Sequence, residues 1–505
     1  MFFRLDRVLE AFLLGLENLL QPSVLIAIVI GSVGGLTIGA IPGIGPAIAI
    51  AILLPATIFL EDLVSLVLLL GVYGSSMYGG AIPAILINTP GTPVNALTTY
   101  DGYAMTRRGE AARALSLAYS ASFFGGCFSI LMALVALFAF GPYLRDLGAL
   151  FGQRDILMAA ILGSVLLIAA HRQTMGIAAL LFGFGFLIAM IGRQTTRKID
   201  RFTFDVEYLF PGLNLIVVII GVFALSQALI LLTGKDSDPP EARVKGGALL
   251  GFVELSKYKV VTLFSALYGT IMGIIPGVGE FVAQFFSYST ARALSKNPTR
   301  FGHGSPEGLI ASETANNAVP AAAMIPLLAL GVPGEALTAM MMVVFFDAGI
   351  KPGPDIFENN SDFLFSLFVA LLMINVLVLS TLLISSRAIS KMIYIPNKFL
   401  GSLVMILSFV GVFSIRNSLS DCIFAIIFGY IGYTLRRLDW PLVPLVLGLV
   451  LGSIILERMT AGASQVRSLM DLVNRPVSSI LAISILVVLI FVIWSTIKNR
   501  RSYET

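Results

Sequence analysis

The chain has 505 residues, 57% of them hydrophobic and only 12% charged, with a net charge of +4 and a mean hydropathy of +0.92. These values exclude a soluble globular domain and place the chain among polytopic membrane proteins. Two cysteines, Cys127 and Cys422, both in apolar runs, argue against a disulfide framework; two histidines, His171 and His303, leave no HExxH motif, and the small net charge is spread over short loops rather than massed for nucleic acid.

Residues 1–21 read as an interfacial amphipathic helix. Phe2, Phe3, Leu5, Val8, Leu9, Phe12, Leu13 and Leu16 recur at helical spacing among Arg4, Asp6, Arg7, Glu10 and Glu17, unlike the short apolar run and cleavage site of a signal peptide. A first membrane repeat, 22–233, opens with two apolar arms, Val24–Ala40 and Ala47–Leu60, joined through Pro42-Gly43-Ile44-Gly45-Pro46. The next run, Leu63–Ile87, is rich in small residues (Gly71, Gly74, Ser75, Ser76, Gly79, Gly80) that suit either a substrate path or close helix packing, and it ends in a second break, Asn88–Pro93. A polar segment, Tyr100–Arg113, precedes four spans near Ala114–Phe140, Ile156–Ala170, Met175–Ile191 and Leu213–Leu232, each close to the roughly 20 residues a crossing helix needs.

A polar linker, 234–258, separates this repeat from a second, 259–414. The second repeat reproduces the order: an arm Val260–Ile275, the break Pro276-Gly277-Val278-Gly279, an arm Phe281–Leu294, a run Leu309–Leu330 and a break Gly331-Val332-Pro333-Gly334. Residues 415–505 complete the chain with further transmembrane helices. Basic loops test the orientation. Arg107, Arg108 and Arg113 follow the second break of the first copy, whereas Arg292, Lys296 and Arg300 lie between the arms of the second copy, so the copies read as inverted. The expected fold is an all-α polytopic membrane protein with two inverted structural repeats carrying broken helices or helical hairpins; whether Val24–Leu60 and Val260–Leu294 cross fully or re-enter stays open.

In hydrocarbon an unpaired N–H or C=O costs several kcal/mol, so paired proline–glycine breaks mark places where backbone groups serve a ligand. Half-helix N-termini suit a carboxylate, and unwound carbonyls suit a cation. The expected substrate-binding set is therefore Asn88, Thr89, Pro90, Gly91, Thr92, Asn316, Asn317, Gly331, Pro333, Gly334 and Thr338. The expected cation-binding set is Gly43, Ile44, Gly45, Gly277, Val278, Gly279 and Glu313. Glu313 and the Asn316-Asn317 pair are costly in a bilayer unless they face a wet cavity, the plain alternative being a polar loop end at the surface. Glu280 reads equally as a cation ligand and as a first-turn glutamate favouring a helix N-terminus. His171 and His303 read as surface residues.

These motifs resemble the large permease subunit of the tripartite tricarboxylate transporters, the TctA family. The resemblance is carried by Ala40–Pro46, by Tyr78-Gly79-Gly80 with Leu86–Gly91, by Asp101–Met105 with Arg108-Gly109, by Glu313–Asn317, by Ile325-Pro326 with Gly331–Gly334, and by Gly349–Gly353; it runs from about Leu13 to beyond Leu456. The chain departs from that pattern at Thr92, where glutamate is common, and at Glu335, where a small residue is common. The resemblance implies a permease in a bacterial inner (cytoplasmic) membrane that imports a small di- or tricarboxylate by symport with Na⁺ or H⁺ and alternating access. It also implies a small membrane subunit and a periplasmic solute-binding protein as partners. A stand-alone carboxylate symporter or exporter is the alternative, with an intramembrane enzyme or a channel remote: no GxGD motif or Walker A segment is present. The chain is read as a non-enzyme with no cofactor beyond its coupling ion.

Overall fold

The computed structural model describes every residue except 1, 43, 151–152, 172–173, 195–198, 235–249, 277–278, 354–355, 357–359, 463–474 and 504–505. It is 83% helical, which bears out the all-α, multi-span reading. Among the described residues seven helices are long and apolar enough to cross a bilayer. One two-stranded antiparallel hairpin, β1 (Gly192–Gln194) with β2 (Ile199–Arg201), interrupts the helices.

In the first copy α1 (Phe2–Leu19) precedes a hairpin of α2 (Pro22–Gly39) and α3 (Pro46–Thr57). A long helix α4 (Asp62–Ile87), a short helix α5 (Ala96–Arg107) and the long α6 (Ala111–Leu150) follow, then α7 (Gln153–Ala170), α8 (Met175–Ala189) and α9 (Leu215–Thr233). At about 1.5 Å per residue α6 is longer than a bilayer core, and its part Ala111–Ala139 is long and apolar enough to cross it. A short helix α10 (Leu250–Leu255) closes the linker and is tied to α6 by Gly251 N–H to Ser116 Oγ (2.7 Å) and Arg113 Nε to Glu254 Oε2 (2.9 Å). Most of the linker lies outside the described residues.

The second copy repeats this order: a hairpin of α11 (Lys259–Ile274) and α12 (Gly279–Leu294), a long helix α13 (Pro306–Leu330), a short helix α14 (Ala336–Asp347) and a long helix α15 (Ser361–Ile389). Then come α16 (Asn397–Arg416), α17 (Leu419–Arg437), α18 (Val443–Gly462) and α19 (Pro476–Tyr503). Two of these elements depart from the sequence reading. Most of the polar segment Tyr100–Arg113 belongs to the helix α5, which begins earlier, at Ala96, and buries Leu97, Thr98, Asp101 and Met105. The apolar run after Gly334 forms α14, buried from Ala336 to Phe345; at 12 residues it is too short to register as a span. The amphipathic α1 also does more than float: Ser366 Oγ donates to the Gly15 carbonyl (3.1 Å) and Phe12 packs edge-on against Phe365.

The two breaks after the long helices share one construction. Asn88 (φ 57°) and Gly331 (φ 67°) cap α4 and α13 in the left-handed conformation, each five residues after a proline inside the helix, Pro83 and Pro326. The N–H groups of Thr89 and Val332 return to the carbonyls of those same prolines (3.3 and 3.4 Å). The spacing that pairs Pro83 with Pro326 and Asn88 with Gly331 also pairs Tyr73 with Asn316, Thr92 with Glu335 and Asn95 with Thr338.

Position in the bundle follows from side-chain size. The α4 window is 89% buried, whereas α16 and α17 are 28% and 33% buried and turn most of their apolar surface outward, as lipid-facing helices do. Gly31, Gly35 and Gly39 on α2 face Gly71, Ser75 and Gly79 on α4 so closely that a methyl on Gly79 would sit 2.3 Å from the Leu36 carbonyl. Without a hydrophobic drive between helices in lipid, such close backbone approach supplies the packing energy. This accounts for Gly71, Ser75, Ser76 and Gly79 of α4 as packing, whereas Gly80 lies against Asn95 and Thr92. The copies exchange their short helices: α5 packs on α13 of the second copy, and α14 packs on α3 and α4 of the first.

Candidate functional site

That exchange places polar side chains of both copies in one buried seam. Glu313, fully buried on α13, accepts from Asn95 Nδ2 (3.3 Å), Thr98 Oγ1 and Ser122 Oγ (2.9 Å), donors from the first copy. Asn317, one turn further along α13, donates to Ser122 Oγ (2.9 Å) and to the Glu313 carbonyl (3.1 Å). Thr92 Oγ1 donates to Asn95 Oδ1 (2.5 Å), whose Nδ2 also reaches the Met77 carbonyl (3.3 Å). On α12, Gln284 Nε2 approaches Thr98 Oγ1 at 3.5 Å, which carries the network to the arm of the second hairpin.

One turn back on that face of α12 lies Glu280. The Tyr73 hydroxyl, from the middle of α4, lies 3.1 Å from Glu280 Oε1 and contacts Glu335 Oε1. Glu335 is the N-cap of α14, and its N–H donates to Thr338 Oγ1 (3.1 Å). Across the bundle, the Tyr78 hydroxyl meets Asn375 on α15, whose Nδ2 donates to the Phe123 carbonyl (3.1 Å).

Not every group in the seam is satisfied. Asn316 is fully buried on α13, and neither Nδ2 nor Oδ1 has a hydrogen-bond partner among the described residues; Gln284 Oε1 and Thr314 Oγ1 are likewise buried and unpaired there. A buried amide without partners costs about 1–3 kcal/mol per group, so native chains rarely keep one unless something else fills the role.

Beside the seam, Asp101 locks α5 to the loop before α13. Its Oδ1 accepts the N–H groups of Gly302 (2.9 Å), Gly304 (2.8 Å) and Ser305 (2.7 Å), and its Oδ2 accepts the Tyr288 hydroxyl (2.8 Å). Burial pushes this carboxyl above the ordinary carboxylate range, and the four donors pull the other way without cancelling it.

The residues expected from sequence divide accordingly. Thr92, Asn316, Asn317, Thr338 and Glu313 are buried in or beside the seam. Asn88 and Thr89 are exposed and Pro90 is half-buried, outside that network. Gly91 is buried with its N–H taken by the Gly80 carbonyl (3.2 Å), and a methyl there would lie 2.2 Å from the Gly39 carbonyl. Gly331, Pro333 and Gly334 are buried, and the half-helix end beyond them carries the chain's own carboxylate, Glu335. Of the expected cation carbonyls, Gly43, Gly277 and Val278 lie outside the described residues. Ile44 is buried, the Gly45 carbonyl accepts from Ile48 (3.1 Å) and Ala49 (3.3 Å), and Gly279 opens α12 with φ 66°. Sequence reasoning passed over Tyr73, Asn95, Thr98, Ser122, Gln284 and Asn375. The signal for Tyr73, Ser122 and Asn375 is a lone polar group in an apolar run, and for Asn95 its pairing with Thr338.

Comparison with known proteins follows the same outline. A family model described as Tripartite tricarboxylate transporter TctA family matches residues 25–447. An uncharacterized 52.8 kDa protein of the TAR-I ttuC' 3' region of Agrobacterium vitis is 32% identical over 493 residues, 97% of each chain. An uncharacterized protein of the TAR-II ttuC' 3' region of the same organism is 36% identical over 191 residues, 38% of this chain and 79% of that one. No solved structure matches.

Proposed function

The chain belongs to the tripartite tricarboxylate transporter TctA family, and on that premise we propose that it is the large permease of a binding-protein-dependent importer for a small di- or tricarboxylate. Membership makes it a multi-pass membrane component of a transporter family, which is not an enzyme family. Beyond this, the proposal comprises a bacterial inner membrane, a small membrane subunit, a periplasmic solute-binding protein, inverted repeats and coupling to a cation gradient.

The observation that carries the reading is the Asn316 carboxamide, fully buried on α13 and without a partner among the described residues. Its Nδ2 offers donors to a carboxylate, and its Oδ1 offers an acceptor to a hydroxyl or a protonated acid. A substrate seated there would touch α12 and α13 and lie beside α4, α5 and α14, so it would bind differently when the elements of the two copies shift against each other. That difference is what alternating access requires. Among the expected breaks the substrate therefore draws on the Asn316–Asn317 side, with Thr92 and Thr338 near it, rather than on the exposed Asn88 and Thr89.

The test is flux into membrane vesicles made with the partner subunits and the binding protein present. Labelled di- and tricarboxylates are screened with and without imposed Na⁺ and proton gradients. Saturable, gradient-driven accumulation of one carboxylate is the expected result. Accumulation by this chain alone in proteoliposomes would overturn the binding-protein requirement.

A further inference from the structure

Glu280 and Glu335 are both more than nine-tenths buried. Both also converge on the Tyr73 hydroxyl. That hydroxyl has one hydrogen and can satisfy only one of the two carboxyls at a time. No lysine, arginine or histidine among the described residues pairs with either; the ion-paired arginines, Arg113, Arg193, Arg416 and Arg475, lie with other acids. The remaining ionisable group nearby, Glu313, is also acidic and is separated from the pair by the Thr98–Gln284 bridge.

We propose that Glu280 and Glu335, bridged by Tyr73, form a site for one monovalent cation, and that this site couples the cation to carboxylate movement. The inference rests on the transport reading above and moves the coupling site from the glycine carbonyls to these side chains. Charge balance gives the number of cations. Each carboxylate stands at a helix N-terminus, Glu280 in the first turn of α12 and Glu335 at the N-cap of α14. Each such end supplies roughly half a positive charge, so the two ends offset about one of the two negative charges. One unit remains, and a single cation removes it.

The backbone around the pair is less tightly closed than at the matching place in the first copy. A methyl added to Gly279 or to Gly334 would meet nothing closer than 3.7 Å, in the first case Glu335 Oε2 itself, whereas Gly91, the counterpart of Gly334, would clash at 2.2 Å. The unpaired Gln284 Oε1, fully buried one turn along from Glu280, supplies a further oxygen. In the first copy the paired positions hold Pro46 and Thr92, so the site is single rather than duplicated. An uncompensated pair of carboxylates would repel an anionic substrate seated near Asn316. Filling the cation site removes that repulsion and raises substrate affinity on the order of tenfold, within the usual range for coupled sites. A proton and Na⁺ share the needed chemistry, one positive charge between carboxyl oxygens.

The test uses the purified full chain in detergent without any carboxylate. Its melting temperature is followed as NaCl replaces choline chloride at constant ionic strength, at alkaline and at mildly acid pH. The expected result is a rise of at least about 3 °C at saturating cation. A rise with Na⁺ at alkaline pH assigns the site to sodium, and a rise with acid alone that both Gln variants lack assigns it to the proton. Glu280→Gln and Glu335→Gln should each lose most of the response while still showing a cooperative melt of their own, and Glu335→Asp should keep part of it. Wild type responding to neither cation, or both Gln variants responding as wild type does, would overturn the proposal. An intact cation response in a chain that moves no carboxylate with its partners would instead sink the transport reading and leave the site standing.

Discussion

Replacing Asp101 with alanine tests how the two copies are held together. The carboxylate Oδ1 is the acceptor for three backbone N–H groups, of which those of Gly304 and Ser305 are buried and that of Gly302 is half-exposed. Alanine strands the two buried donors at about 1–3 kcal/mol each, while water recovers the third. Relief of the carboxyl's own desolvation offsets part of this, which puts the net loss at about 2–4 kcal/mol. Asp101→Asn should cost under about 1 kcal/mol, because a carboxamide oxygen in the Oδ1 position keeps all three N–H groups and its NH₂ can donate to the Tyr288 oxygen. Equilibrium unfolding in mixed micelles, read by the near-ultraviolet signal, separates the two variants. Equal stability of the Ala and Asn variants would refute the reasoning, because it would mean that the N–H groups do not depend on this oxygen.

Three further outcomes follow from named contacts. Asn316→Leu removes two unpaired buried polar atoms at nearly constant volume and should leave stability unchanged or raise it by about 1 kcal/mol; a loss above about 2 kcal/mol in the same unfolding assay would show that the amide has partners. Gly79→Ala drives a methyl into the Leu36 carbonyl at 2.3 Å and should cost roughly 1–3 kcal/mol or block assembly, whereas Gly176→Ala, with nothing within 4 Å, should be neutral or stabilising by size-exclusion and melting measurements. Asp101 holds its proton more tightly in the fold than in the unfolded chain, so its contribution is greatest below the unfolded value and falls as pH rises through the folded one. The stability of wild type relative to Asp101→Asn should therefore decline as pH rises above the ordinary aspartate value of about 4; a gap that widens in favour of wild type with rising pH would contradict this.

Much of this architecture is legible from residue order. Proline–glycine breaks at matched places in two halves of an apolar chain mark the two hairpins and the two long helices, because few soluble or membrane helices tolerate such interruptions without a reason. The small residues of α4 were ambiguous in sequence. Only their spacing against Gly31, Gly35 and Gly39 on a partner helix assigns most of them to packing. The short helices α5 and α14 were not legible. One is too polar and the other too short to read as a span; α5 is covered by α4 and α6 as well as by α13 of the second copy, and α14 is covered mainly by α3 and α4 of the first. For the same reason Asn95, Thr98 and Tyr73 escaped notice: each acquires its role from an acid more than 200 residues away, which local pattern does not encode. Glu313, Asn316 and Asn317 stood out because polar side chains inside an apolar helix are expensive wherever they sit. The expected free N–H groups near Gly91 were the plainest over-reading, since the chain closes that end on itself through Gly80.

The most direct measurement compares wild type with Asn316→Leu, at matched membrane levels and with the partner subunits and binding protein supplied. Gradient-driven uptake of a labelled di- or tricarboxylate into vesicles is the readout. Accumulation by wild type and a loss of at least about a hundredfold in the variant is the predicted result. Equal accumulation by both would contradict the placement of the carboxylate in the buried seam, and no uptake of any carboxylate by wild type under any gradient would contradict the transport function itself.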